Sequence, residues 1–454
     1  MKKKVMVAGL GKSGISAAKL LLDVGSEVFL YDGNTQLDVE NIIEKLHVED
    51  RSKITTKTGE LLAEDLAGIH LCVISPGIDL ETPFVKVINE AKVPIWSEIE
   101  LGYAIAKGEL IAITGTNGKT TTTALTGAIM KKFNSDSFTV GNIGIPYTDV
   151  ALATTEKSIT VLEASSFQLE TIIKFRPHVS AILNITPDHL NRHHTMENYA
   201  RIKEDITLNQ SKDDFCILNY EDEVLRKFGT DGECPATVVF FSSAQKLENG
   251  FYLDGDMIYH AIDGKSEAIL NIQDVNLLGR HNYENIMAAI AMADCMKVPM
   301  DVILEVCKEF KAVEHRIEFV AEQYGVKYYN DSKGTNPDAA IQAVKAMPGP
   351  ILLIAGGYDK KSTYDEWIES FNGNVRYLVL MGQTRDAIAE CAKKHGFPNE
   401  NIIYAESMEE AVKVCASYAE PGDDVLLSPA CASWGMFDNY EQRGNIFKQC
   451  VRNL

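Results

Sequence analysis

Residues 109–123 read ELIAITGTNGKTTTT. Leu110 to Ile113 form a short apolar run, which predicts a buried strand. The run stops at Gly115, and the threonines with Ala124 and Leu125 open a helical pattern. Strand, glycine-rich turn and helix beginning on Lys-Thr is the layout of a phosphate-binding loop. Backbone N–H groups of such a turn converge on one point, and the helix N-terminus adds partial positive charge there. Gly115, Thr116, Asn117, Gly118, Lys119, Thr120 and Thr121 are thus the candidate ATP-binding residues. Lys119 reaches the outer phosphates, and the Thr120 hydroxyl is suited to Mg²⁺. The loop is a variant, because Ile113 stands where the usual pattern begins with glycine. A glycine-rich turn with an exposed lysine has the same local spelling; the flanking strand and helix favour ATP binding.

Downstream, the apolar run Ile159 to Leu162 ends in Glu163. A carboxylate at a strand end after a phosphate loop is placed to hold Mg²⁺, although a solvated glutamate has the same pattern. Asn142, in the turn GNIGIP, can hydrogen-bond a phosphate. VSAILNITPDHLNRHHT (179–195) repeats the design and places Asp188, His189, His193 and His194 in a polar loop. This densest histidine cluster lacks the cysteine or E-x-x-H spacing of a zinc site. Lys203, on a helix predicted for 196–210, reads by residue type as a surface lysine. Residues 214–275 read as a β-rich insertion, and Gly279 to Asn285 as a donor-rich loop opening a helix.

Upstream, KVMVAG is a strand, and Gly9, Gly11 and Gly14 spell G-x-G-x-x-G before a helix. A second strand ends in Asp32, at the distance expected for ribose recognition. HLCVISPGI (70–78) ends a further strand at Ser75 and Gly77, facing the same crevice. These glycines do not distinguish UDP from NAD. Beyond residue 313, Arg316 lies between apolar flanks. NDSKGTN gathers Asp331, Ser332, Lys333, Thr335 and Asn336 ahead of a helix with Pro337 at its start. ILLIAGGYDKKS brings Lys360 and Lys361 to another strand end. The expected fold is α/β with three domains. Residues 1–97 form an N-terminal Rossmann-like domain. Residues 98–312 form a central P-loop ATPase-like domain with a mainly parallel sheet and the β-rich insertion. Residues 313–454 form a C-terminal Rossmann-like domain.

The chain has 454 residues, 45% hydrophobic and 24% charged, as expected for a globular protein of several domains. Its net charge of −20 argues against non-specific nucleic-acid binding. No apolar run has transmembrane length, so no membrane insertion is expected. The nine cysteines show no C-x-x-C, which suits reduced thiols in the cytoplasm.

Taken together, the motifs resemble the Mur ligase family, cytoplasmic enzymes of peptidoglycan precursor synthesis. They are GTNGKTT (115–121), EASSFQLE (163–170), NITPDHL (184–190), GRHNYEN (279–285), EHR (314–316), NDSKGTN (330–336), AGGYDK (355–360) and SPACASW (428–434). GLGKSG, SPGI and SPACASWGMFDNYEQRG are most similar to the members that add D-glutamate to UDP-MurNAc-L-Ala. The resemblance implies that ATP phosphorylates the terminal carboxylate. The D-glutamate amine then attacks the acyl phosphate, and a tetrahedral intermediate collapses to the amide.

It also implies roles. Lys119 contacts ATP phosphates; Thr120 and Glu163 hold one Mg²⁺, and His189 helps hold a second. Lys203 matches the lysine carbamylated in the family, which turns a repelling ammonium into a metal-supporting carboxylate. Asn285, Arg316, Asp331 and the catalytic Lys333 fall on the ATP side. Thr335, Lys360, Ser433 and Tyr440 match the D-glutamate pocket. Ser13 and Asp32 lie at the UDP end, with Ser75, Gly77 and Asn142 along the rest of that substrate. Gly33-Asn34 departs from the threonine and basic residue that some members place at the uracil. Tyr440 stands where phenylalanine is common. The partners are these small molecules, and a monomer is expected. The alternatives are a sister ligase or folylpolyglutamate synthase, a nicotinamide-dependent oxidoreductase, or an ATPase switch without ligation chemistry.

Overall fold

The computed structural model describes residues 3–48, 50–142, 144–311, 313–359 and 362–454. Among these residues the strands form three sheets. The first comprises β1 (Lys4–Ala8), β2 (Glu27–Asp32), β3 (Ile54–Thr58), β4 (Ile69–Ile74) and β5 (Ile95–Ser97), in the order β3-β2-β1-β4-β5. All its pairings are parallel. Val5 and Val7 face one apolar cluster, Met6 and Ala8 the other, so β1 is buried on both sides. The third glycine of the opening motif permits close packing: a Cβ on Gly14 would lie 1.9 Å from the Gly9 carbonyl oxygen.

The second sheet comprises β6 (Glu109–Thr114), β7 (Ser137–Gly141), β8 (Ile159–Glu163), β9 (Val179–Ile182), β10 (Phe215–Asn219), β11 (Thr237–Ser242), β12 (Gly250–Asp254), β13 (Met257–Ile262) and β14 (Lys265–Asn271). Their order is β14-β13-β12-β11-β10-β9-β6-β8-β7. The pairings are parallel from β7 to β12 and antiparallel from there to β14. The β-rich stretch 214–275 therefore prolongs the central sheet. Its last turn has Asp263 and Gly264 both at positive φ (51° and 76°), as a two-residue hairpin loop requires.

The third sheet comprises β15 (Glu318–Gln323), β16 (Val326–Asn330), β17 (Ile351–Ala355), β18 (Val375–Leu380), β19 (Ile402–Tyr404) and β20 (Asp424–Leu427), in the order β15-β16-β20-β17-β18-β19. Only the β15–β16 hairpin is antiparallel among the pairings described.

Contacts divide the chain into two compact units. One contains residues 1–271 and 284–307, with the first two sheets; the other contains 272–283 and 308–454, with the third. Within the first unit, two buried carboxylates tie segments together. Glu100 accepts hydrogen bonds from the N–H groups of Ile173, Lys174 and Phe175. Glu98 accepts from both the N–H and the hydroxyl of Thr148, each at 2.7 Å.

Candidate active site

The phosphate loop leaves β6 and enters helix Lys119–Phe133 through Gly118, which has φ 85°. Ile113 is a buried residue of β6, paired with Glu163 on one side and Ala181 on the other. That is why the loop lacks its usual first glycine: the strand continues to Thr114 and turns only at Gly115. The NITPDHL segment forms the loop's outer wall. Asn184 Oδ1 accepts from Asn117 N–H (2.8 Å), and its amide donates to Asn117 O (3.1 Å). Thr116 hydrogen-bonds Asn184 O, Thr186 and the Tyr199 hydroxyl. The Lys119 ammonium folds back on the loop, donating to the carbonyls of Gly115 and Thr116 at 2.8 Å each. Thr120 and Thr121 are buried in the first helical turn, and Asn285 accepts from the Thr122 hydroxyl (3.2 Å).

Beside the loop lies a cleft of about 290 Å³ bordered by Gly77, Lys119, Asn142, His189, Tyr199 and Lys203. Glu163 backs it: its Oε1 accepts from Asn142 (2.9 Å), whereas its Oε2 is buried with no hydrogen-bond partner. Lys203 is 1% exposed, contrary to the surface position its residue type suggests. Its ammonium donates to Gly115 O (2.9 Å) and lies 4.6 Å from the centre of the Tyr199 ring. Burial, with the nearby charge of Lys119, pushes its pKa well below the ordinary lysine value.

The histidines separate. His189 reaches the cleft from a left-handed position (φ 53°) and packs on Phe167, with ring centres 4.8 Å apart. His193 is buried against Phe167 and Tyr199 and hydrogen-bonds the Ser166 hydroxyl (3.0 Å); burial pushes its pKa down to about 4. His194 is exposed and faces Glu81. Only His189 of the three borders the cleft.

At the carboxyl ends of the first sheet, Asp32 accepts from the N–H groups of Leu10 (3.0 Å) and Asn34 (2.9 Å). Ser13 is in the first turn of helix Lys12–Asp23. The Ser75 hydroxyl donates to Gly9 O (2.7 Å), drawing the SPGI turn against the first glycine loop. Arg192 carries that turn to the cleft: it donates to Pro76 O (2.9 Å), pairs with Glu170 and covers the Phe167 ring at 4.2 Å.

In the second unit, Arg316 lies 3.9 Å from the buried carboxylate of Asp331, whose other oxygen accepts from Ser428 (2.9 Å). Burial pushes the Asp331 carboxyl up to about 6, against the attraction of Arg316. The Lys333 ammonium is 5.6 Å from the centre of the Tyr440 ring. Thr335 N–H donates to Lys333 O, and Ser433 is buried at the end of the SPACAS turn. Lys360 lies outside the described residues.

Three family models match the chain: Mur ligase MurD-like, N-terminal domain, at residues 3–97; Mur ligase middle domain at 113–293; and Mur ligase, glutamate ligase domain, at 315–431. UDP-N-acetylmuramoylalanine–D-glutamate ligase of Lachnospira eligens is 56% identical over 452 residues, which cover 100% of this chain and 99% of the relative. The ligase of the same name from Clostridioides difficile is 46% identical over 454 residues, covering 100% and 99%. The chain belongs to the Mur ligase family. Solved Mur ligases share the fold. MurC of Thermotoga maritima superposes with a TM-score of 0.62 at 19% identity, over 99% of each chain. MurF of the same organism, solved with ADP, gives 0.60 at 17%, over 100% of this chain and 96% of that one.

Membership in the Mur ligases directs attention to residues that the motif reading quoted but left without roles. Asn184, Tyr199, Glu170 and Arg192 shape the cleft through contacts 22 to 116 residues apart in sequence. Only Asn184 follows a strand end, which was the available signal; Tyr199 and Arg192 lie in helices and Glu170 caps one. The buried Glu163 Oε2, which has no hydrogen-bond partner, is a candidate ligand for a divalent cation. Lys203 fits such a set only without its positive charge, the state its burial favours.

Proposed function

We propose that this Mur ligase joins D-glutamate to UDP-N-acetylmuramoyl-L-alanine at the expense of ATP. Supporting this is the cleft where Lys119, Asn142, His189 and Lys203 converge behind a glycine loop, in a chain whose C-terminal part matches a glutamate ligase domain. A carboxylate is a poor acyl donor, so the terminal carboxylate of L-Ala first takes the γ-phosphoryl group. The D-glutamate nitrogen attacks the carbonyl carbon; the C–N bond forms, the C–O bond to phosphate breaks, and the amine proton is lost. The anionic intermediate calls for donors fixed in advance.

Residues 1–97 would hold the UDP end through Ser13 and Asp32, with Ser75, Gly77 and Asn142 along the rest. Residues 98–312 would hold ATP through Gly115 to Thr121 and Asn285. Residues 313–454 would add Arg316, Asp331 and Lys333 to the nucleotide, and Thr335, Lys360, Ser433 and Tyr440 to D-glutamate. Thr120, Glu163, His189 and a carbamylated Lys203 would hold two Mg²⁺ ions. When bound, these neutralise phosphate charge and polarise the phosphoryl oxygens. The nine cysteines are free thiols, which suits a cytoplasmic enzyme, and we propose that it works as a monomer. Among the described residues no helix is long and apolar enough to cross a membrane.

The test is phosphate release from ATP, Mg²⁺ and UDP-MurNAc-L-Ala, with D-Glu, L-Glu, L-Ala or L-Lys as acceptor. Release is expected with D-Glu alone, together with a product heavier by one glutamate residue. Release with another amino acid would move the enzyme to a different ligation. Release independent of any acceptor would indicate an ATPase.

A further inference from the structure

Helix Tyr440–Arg452 buries two cations on one face: Arg443 is 1% exposed and Lys448 7%, alongside Phe447 and Val451. The Arg443 fork grips two loops at once. Its Nε donates to Ser332 Oγ (3.0 Å) and its Nη2 to Ser332 O (2.7 Å), while its Nη1 donates to Cys431 O (3.1 Å). Ser332 Oγ in turn donates to Tyr440 O (2.8 Å), returning to the first residue of the helix. All three guanidinium nitrogens therefore act on carbonyls and a hydroxyl, a use that costs the full desolvation of the charge without a carboxylate in the fork. The next residue is Gly444, where a Cβ would lie 2.2 Å from His315 Nδ1. Lys448 pairs with Glu314 and Glu318. Between those carboxylates His315 and Ile317 both have positive φ, 66° and 45°, which is a rare state for a β-branched residue. The helix thus holds a strained segment with Arg316 at its centre.

We propose that Arg443 is a positioning residue that couples the nucleotide-side loop to the amino-acid-side loop. Ser332 sits between Asp331 and Lys333, and Cys431 lies two residues before Ser433. Fixing both carbonyls with one planar group sets the two loops in register. A lysine supplies a point charge and cannot bridge them in this way. This presupposes the roles proposed above for Asp331, Lys333 and Ser433.

The experiment is steady-state kinetics of full-length Arg443→Lys, with each substrate varied in turn. KM for ATP and KM for D-glutamate are both expected to rise roughly tenfold or more, the loss of a hydrogen bond to a charged group. KM for UDP-MurNAc-L-Ala is expected to stay unchanged. Ser332→Ala removes the hydroxyl's two hydrogen bonds, from Arg443 Nε and to Tyr440 O, and leaves both carbonyl contacts of the fork in place. It should move the same two constants in the same direction, and the double variant should be little worse than Arg443→Lys alone. Either variant lowering the melting temperature with both KM values intact would overturn the coupling. So would a change confined to one substrate, or fully additive effects. Wild-type enzyme without D-glutamate-dependent turnover would instead overturn the function on which the coupling depends.

Discussion

Replacing Asp331 with Asn isolates one electrostatic cost in the second unit. Asp331 is 1% exposed, and burial lifts its carboxyl from 3.8 to about 6. The folded chain therefore keeps this proton where the unfolded chain has released it. Because the folded pKa is raised, the stability it contributes is present at low pH and declines as pH rises from about 4 to about 6. From these two values the cost is about 1 kcal/mol near pH 4.5 and about 3 kcal/mol near pH 7.5. Asparagine has the same shape and nothing to ionise. Ser428 can accept from its amide as readily as it donates to the acid. The attraction of Arg316 for the ionised carboxylate is already contained in the value of about 6, so its loss adds no separate pH-dependent term to the comparison. Asp331→Asn is thus expected to gain about 2 kcal/mol on the wild type between the two conditions. For a unit of ~160 residues this widens the difference in melting temperature by roughly 4–8 °C, read by scanning calorimetry of the full chain. Ligation activity should fall in the same variant, since the charge beside Arg316 is gone. A melting difference that is independent of pH, or that narrows towards pH 7.5, would refute the burial argument.

Gly118→Ala places a Cβ at a left-handed position, 2.3 Å from Asn285 Oδ1; ATP affinity by calorimetry should weaken by about tenfold or more, and unaltered affinity would mean that the loop relaxes freely. Lys203→Ala should lower kcat by about a hundredfold or more, with partial rescue by bicarbonate or short carboxylic acids. Wild-type enzyme equilibrated with ¹³C-bicarbonate should show a carbamate resonance that the variant lacks; its absence would leave Lys203 as an uncharged donor to Gly115 and nothing more.

The two glycine loops and the runs that end at Ala8, Thr114, Glu163 and Asn330 were legible because strand, turn and helix starts are local patterns. So was the position of Glu163, since a parallel sheet delivers its strand ends to one edge. Lys203 was not legible from its residue type. Its helix presents a mixture of charged and apolar residues, and only the packing of Tyr199 and the phosphate loop turns that position inward. The motif resemblance supplied what periodicity could not. The same holds for Arg443: an arginine at the start of a polar helix reads as solvated, and its burial follows from two loops, distant in sequence, that follow strands of the third sheet. Lys203 and Arg443 are both cations removed from water, and each is held by backbone carbonyls of a glycine-containing loop or of a strand-end turn. A loop that must later receive phosphate or carboxylate needs its own carbonyls turned away from the anion. Lys203 on Gly115 O and Arg443 on Ser332 O and Cys431 O engage such carbonyls from within the protein.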